Sequence, residues 1–172
     1  GGHTEFCAMT LLDFEFREFV KKIVKETEGR DLKRISTERV VSGPALKYTY
    51  QFFQEKFPFL DNNLPEEICG RTHGIIEYAI NKKDPICEMS LQFFLRHYGW
   101  EIGDYMLKIN PQGGLFLMGG VTLALRDYIG KPEAGFLEAV YNKGRVSGMI
   151  QSIPIYILKR EIVLDGAESY AL

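Results

Sequence analysis

Gln112-Gly113-Gly114-Leu115-Phe116-Leu117-Met118-Gly119-Gly120-Val121 is the stretch that decides the fold: an apolar run of strand length lies between two glycine pairs. Four apolar residues without polar alternation suit a strand covered on both faces, as in a parallel sheet with helices on either side. Where such a strand ends in Gly-Gly and a helical pattern follows, backbone can approach a ligand closely, because no side chain stands in the way. Taken alone, the stretch fits a ligand-free glycine turn equally well.

Working outward, residues 122–128 read as a short helix, 130–132 as a break, 133–141 as another helix and 142–145 as a polar turn. Ile153-Pro154-Ile155-Tyr156-Ile157-Leu158 is a β-rich run whose proline puts it at a strand start or sheet edge. A last helix is expected near Gly166. On the other side, Asp84-Pro85 is a cap followed by proline, and it predicts the longest helix, up to about Ile109, lying against the sheet. Within it Gly99 and Gly103 offer close packing or a kink.

Earlier in the chain, residues 4–10 suit a strand. Asp13 is expected to cap a helix that carries Phe16, Phe19, Val20, Ile23 and Val24 on one face and ends at Gly29. Ser36 can cap a short turn holding Glu38, and Gly43-Pro44 opens a helix with Leu46, Tyr50, Phe53 and Phe57 on one face. Glu38 could reach a cleft, but a surface pair with Arg39 or Arg34 is the commoner arrangement for such a residue. Pro65-Glu66-Glu67 predicts a short helix, and residues 73–82 a further one. Strands and helices alternating at this spacing indicate an α/β fold over residues 1–172, a small mixed, partly parallel sheet with helices packed around it.

Composition narrows the function. The 172 residues carry 21 basic and 23 acidic side chains, a net charge of -2, scattered rather than grouped, which argues against nucleic acid as a partner. Cys7, Cys69 and Cys87 form no Cys-x-x-Cys pair, so reduced, buried thiols are expected. The absence of a long apolar run or a signal-like N-terminus argues against membrane insertion and secretion, and a cytoplasmic protein is expected, with an organelle such as a glycosome left open. No Gly-x-Ser-x-Gly, His-Glu-x-x-His, P-loop or Gly-x-Gly-x-x-Gly occurs, so neither a catalytic set nor a metal set is assigned in this chain. His73 and His97 read as surface or satisfied core residues. His3 follows two glycines, on a loop where its imidazole can bond a polar ligand.

Three segments, in this order and spacing, resemble the C-terminal lobe of glucokinases of the bacterial type: Gly1-Gly2-His3-Thr4-Glu5-Phe6, Thr37-Glu38-Arg39-Val40-Val41-Ser42-Gly43-Pro44, and Gly113 through Val121. Ile153-Pro154-Ile155-Tyr156 adds a fourth, and the likeness covers nearly the whole chain. The resemblance implies the large lobe of an actin- and hexokinase-like fold, with glucose and ATP as partners and Mg²⁺ as cofactor. It implies that His3 and Glu38, with Gly2 in the same loop, bind the sugar. Gly119 and Gly120, with Ser42 and Gly43 beside the cleft, would serve the nucleotide. The family's Asp-x-Gly-Gly-Thr hairpin and its general-base aspartate belong to a lobe that this chain lacks, so the chain alone is expected to be inactive. Val163-Leu164-Asp165-Gly166-Ala167 and Asn110-Pro111-Gln112 depart from the family pattern near the nucleotide. A non-catalytic sugar-responsive protein, a kinase for another hexose or phosphoryl donor, and a homodimer stay open.

Overall fold

Thr10, not Asp13, opens the first helix. In the computed structural model, which describes residues 2–68 and 70–158, α1 spans Leu11–Glu28 with Thr10 as its N-cap. The Thr10 hydroxyl accepts from Asp13 N–H at 3.3 Å, while the Asp13 carboxylate accepts from Thr10 N–H at 2.8 Å and Met9 N–H at 3.0 Å. The carboxylate works better three residues in, where it reaches back to two otherwise orphaned N–H groups. Gly29 ends the helix as expected.

Asp13 is fully buried. Its Oδ1 lies 3.1 Å from Nε2 of His97 and 3.3 Å from Nη2 of Arg96. His97 Nδ1 sits 2.8 Å from the Phe93 carbonyl, and the ring packs on Phe93 and Phe6, with centroids 4.2 and 5.2 Å away. His97 is thus a satisfied core histidine, and His73 is exposed. Burial pushes the Asp13 carboxyl up, but the hydrogen bond and charge of His97, joined by the N–H groups of Thr10 and Met9, outweigh it and bring the pKa to about 2.

The strand expected over residues 4–10 is replaced by a single antiparallel bridge, Glu5 with Ser36. Phe6 N–H donates to Ile35 O at 3.0 Å and Thr37 N–H to Thr4 O at 2.9 Å, after which the chain turns into the capping box. A 3₁₀ turn at Thr37–Arg39 leads to α2, Ala45–Lys56, one residue later than the proline implied. Residues 65–68 form one hydrogen-bonded turn, not the expected helix: Ile68 N–H closes on Pro65 O, and Arg71 N–H then bonds Ile68 O and turns the chain again. The helix α3 follows at Thr72–Ile80. Phe16 of α1, Phe52 and Phe53 of α2 and Phe93 form an aromatic core, with centroids 4.9 Å (Phe16–Phe93), 5.4 Å (Phe16–Phe52) and 5.8 Å (Phe53–Phe93) apart.

The helix α4 runs Pro85–Ile109, starting where Asp84-Pro85 predicts. Buried Asp84 accepts from Cys87 N–H and from Asn63 N–H, both at 2.7 Å. Packing divides the chain into two units, Gly1–His97 and Tyr98–Leu172. The core just described belongs to the first.

In the second unit, Gly99 and Gly103 are packing sites, not kinks. An added Cβ would lie 2.6 Å from Phe136 O at Gly99 and 2.2 Å from Val140 O at Gly103. What meets this glycine face is therefore α6, Phe136–Tyr141, where the sequence had suggested the sheet. The sheet pairs β1, Leu115–Leu117, in parallel with β2, Ile155–Ile157, placing Leu115 opposite Ile155. Pro154 precedes β2 as expected, its carbonyl accepting from Leu115 N–H at 2.9 Å. Gly114 is required where the strands meet, since a Cβ there would stand 2.7 Å from the Tyr156 ring.

The expectation that β1 is covered on both faces does not hold. Leu117 is buried, whereas Phe116 is 58% exposed and stacks on Tyr156 of β2, with ring centroids 4.9 Å apart. Successive strand residues face opposite ways, and among the described residues only one face of this pair meets the core. The remaining helices are α5, Gly120–Leu125, and α7, Ser147–Gln151; a 3₁₀ turn at Gly144–Val146 and then α7 follow the expected polar turn. Cys87 is a buried free thiol as expected, but Cys7 is exposed. Cys69, Asp165 and the expected helix near Gly166 lie outside the described residues. The architecture is helix-rich α/β with a small parallel sheet.

Two stability measurements test these contacts. Asp13 has a folded pKa of about 2 against an ordinary 3.8, so its contribution is complete above 3.8 and is lost as pH falls through the folded value. That contribution is about 2 kcal/mol by linkage. Asp13→Asn should lower urea-unfolding stability at neutral pH by roughly 3 kcal/mol, with the gap to the wild type narrowing as acid is added. Gly103→Ala should cost roughly 1–3 kcal/mol through forced separation of α4 from α6, read as a lowered melting temperature. Full stability in Gly103→Ala would refute the close packing.

Candidate functional site

The first unit brings His3 and Glu38 together through backbone bonds between two segments far apart in sequence. Glu38 N–H donates to Gly2 O and Thr37 N–H to Thr4 O, both at 2.9 Å. Buried Thr37 adds a 3.2 Å contact between its hydroxyl and that of Thr4, and its Oγ1 donates to Glu5 O at 3.4 Å. Arg34 donates from Nη1 to His3 O at 3.1 Å. The loop that holds His3 is thereby fixed against the turn that holds Glu38.

His3 Nδ1 comes to 3.5 Å from Glu38 Oε2, with the two side chains 89% and 57% exposed. Arg39 reaches toward Glu28 at 3.8 Å and Arg34 toward the His3 carbonyl, so the expected surface pairing of Glu38 with either arginine is not formed. Glu38 instead lines a hollow of about 610 Å³ together with His3, Ser42 and Tyr48. That volume lies within the range of roughly 300–1,000 Å³ usual for small-molecule sites. A carboxylate that only accepts hydrogen bonds, an imidazole that can donate, and two hydroxyls that do both are the inventory a polyol requires.

The other sequence-assigned residues fall differently. Gly2 is next to Glu38 and contributes its carbonyl; a Cβ there would make an ordinary 3.4 Å contact with the Glu38 Cβ. Ser42 lines the hollow while its hydroxyl accepts from Ala45 N–H at 3.3 Å. Gly43 does not line it, and its carbonyl accepts from the Thr72 hydroxyl at 2.7 Å. Gly119 and Gly120 are in the second unit, where β1 gives way to α5. Gly119 has φ 104° and ψ 163°, a conformation essentially restricted to glycine, and no atom lies within 4 Å of an added Cβ at either position. This junction has open space beside exposed backbone.

Sequence reasoning missed Thr37, Arg34 and Tyr48 as parts of the site. Thr37 sits inside the quoted Thr37-Glu38-Arg39 segment, but only its pairing with residue 4 explains why a β-branched hydroxyl stands there. Among the described residues, no group of three or more His, Cys, Asp or Glu could hold a metal ion. The residues present therefore do not fit a protein-held Mg²⁺, and no step is assigned to one.

The family model described as Glucokinase matches residues 1–172. A glucokinase of Nostoc punctiforme is 31% identical over 182 aligned positions, covering 97% of this chain and 51% of the relative. One from Trichormus variabilis is 28% identical, again covering 97% and 51%. A crystal structure of a glucokinase from an Antarctic psychrotroph superposes with a TM-score of 0.72 at 24% identity, covering 99% of this chain and 48% of that one, and so shares the fold. The chain spans about half the length of the curated relatives it matches.

The link between the two site segments is testable without a ligand. Thr37→Val keeps the volume and removes the hydroxyl, so stability should fall by about 1 kcal/mol. Hydrogen exchange at the Thr37 and Glu38 amides should quicken together. Unchanged protection at both would show that the Thr37 hydroxyl does not hold the segments.

Proposed function

The chain belongs to the glucokinase family, and from that membership we propose that it is the sugar- and adenosine-binding large lobe of an ATP-dependent glucose kinase. The observation that carries the proposal is the meeting of His3 and Glu38 on one hollow of about 610 Å³, built from segments more than thirty residues apart. Glu38 accepts from vicinal hydroxyls of the sugar and His3 donates alongside, which fixes the orientation of a ligand that is rich in both donors and acceptors. An analogue lacking a hydroxyl would leave a carboxylate oxygen without its donor, and this is the source of selectivity.

The donor adenosine lies along the open backbone at Gly119 and Gly120, and the family resemblance also assigns Ser42 and Gly43 to the nucleotide. In the overall reaction the γ-phosphoryl of ATP passes to the sugar 6-hydroxyl, whose proton is released as ADP leaves. Mg²⁺ would enter with the nucleotide and would offset phosphate charge there, and none of the described residues is assigned to hold it. The described residues supply binding and orientation, and the general base is assigned to the other lobe of the kinase. Phosphoryl transfer depends on positioning and charge stabilisation, so this half is inactive by itself. No helix of the described residues is long and apolar enough to cross a membrane; a cytoplasmic location is part of the proposal.

A coupled assay of the full-length protein with glucose and ATP tests the proposal. Glu38→Gln and His3→Ala should each raise the glucose KM roughly tenfold or more, the cost of losing a strong hydrogen bond to the sugar. Wild-type glucose affinity in both would remove the sugar-site assignment. Gly119→Ala, strained at its positive φ, should raise the KM for ATP and leave that for glucose near the wild type. Glucose binding with no phosphoryl transfer would identify a sugar-responsive protein instead.

A further inference from the structure

Part of the wall around His3 and Glu38 is apolar, and it comes from one side of α2. Pro44 and Ala45 open that helix and Tyr48 stands one turn further on, so the three share a face that lines the hollow. Elsewhere the wall is charged, with Arg30, Lys33 and Arg34 from the loop after α1. Tyr48 is half-buried, yet among the described residues it makes no hydrogen bond and no ring contact. Other tyrosines of the chain are committed to the fold. Tyr50, two residues on, is fully buried with its hydroxyl donating to Asn62 Oδ1, and the Tyr98 hydroxyl lies 3.2 Å from that of Thr122. A phenol ring has a large apolar body and a polar tip, and both usually find a partner when taken out of water. At Tyr48 the fold provides no partner for the tip and no ring for the face, and the side chain lines the hollow.

We infer that Tyr48 is a specificity-determining residue, its ring packing on a C–H face of the pyranose whose hydroxyl rim is held by His3 and Glu38. The inference rests on the sugar-site reading above. Glucose in its chair form carries its ring hydroxyls around the rim, which leaves both faces of the ring covered by C–H groups. Hydrogen bonds at the rim select for hydroxyls that are present, and they exert little force against one that projects from a face. A flat apolar partner does exert that force. An axial hydroxyl pressed against the Tyr48 ring would lose water and gain no donor or acceptor, the costly state for a polar group. Among the epimers of glucose, mannose and galactose carry their axial hydroxyls on one face and allose carries its own on the other. The face that Tyr48 covers therefore decides which of them is refused.

The test is a kinetic assay of the full-length protein with glucose, and with mannose, galactose and allose as substrates or competitors. Tyr48→Ala should raise the glucose KM roughly three- to tenfold at near-unchanged kcat and melting temperature, and should narrow the preference for glucose over the epimers of one face by a similar factor. Tyr48→Phe, which keeps the ring, should restore both. In the wild type, saturating tyrosine ring protons should transfer magnetisation to the C–H protons of bound glucose, and in Tyr48→Leu that transfer should be lost. An unchanged preference over all three epimers in Tyr48→Ala and Tyr48→Leu overturns the role of Tyr48, as does a Tyr48→Phe variant that fails to rescue. If Glu38→Gln still raises the glucose KM in that case, the sugar site stands without Tyr48. A wild-type glucose KM in both Tyr48→Ala and Glu38→Gln overturns the sugar-site reading itself.

Discussion

A carboxylate taken fully out of water must be surrounded by donors, and Asp13 shows what that requirement organises. It holds the N–H groups of Met9 and Thr10 just before α1, the imidazole of His97 and the guanidinium of Arg96, so one side chain fixes where α1 begins and how it meets the first half of α4. An unpaired charge there would cost several kcal/mol by general experience with buried ions. The capping box also sets the point at which residues 2–9 leave the helix. Ahead of α1, which starts at Leu11, residues 2–6 bond the backbone of residues 35–38.

From that starting point the candidate site is a matter of backbone pairing. The bonds between Gly2 and Glu38 and between Thr4 and Thr37 do what a longer strand pair would do, with far fewer residues. Short pairing suffices because Phe6 and Thr37 are buried beside it, so the bridge is held by packing as well as by hydrogen bonds. The side chains at its end, His3 and Glu38, are left exposed and free to meet a ligand. The cationic residues that follow α1 then surround the same hollow, so one loop supplies both the anchor for His3, through Arg34, and the charge of the wall.

Much of this was legible in the sequence where the signal is local. Asp84-Pro85 marked the start of α4 to the residue, since a cap followed by proline leaves little freedom. The apolar spacing of Phe16, Phe19, Val20 and Val24 marked the buried face of α1. The two strand runs, after Gly114 and after Pro154, were legible from the glycine and proline that bound them, while their parallel pairing with each other was not. Signals that depend on partners were misread. Asp13 looked like a cap because aspartate often is one, but Thr10 could cap with a carboxylate behind it. Residues 4–10 looked like a strand, although only one bridge forms before the chain must turn.

What the sequence by itself determined was the family, the residue types of the sugar and nucleotide segments, and the helices whose ends are written in capping residues and proline. These are properties of short windows, where steric and hydrogen-bonding preferences act within a few residues. Only the tertiary structure decided that Glu38 faces His3 instead of Arg34 or Arg39, that Gly99 and Gly103 receive α6, and that Phe116 stands exposed against Tyr156. Each depends on which distant segment arrives alongside. Chain connectivity does not encode that arrival in any one window, because burial, register and charge pairing are settled jointly when the elements pack.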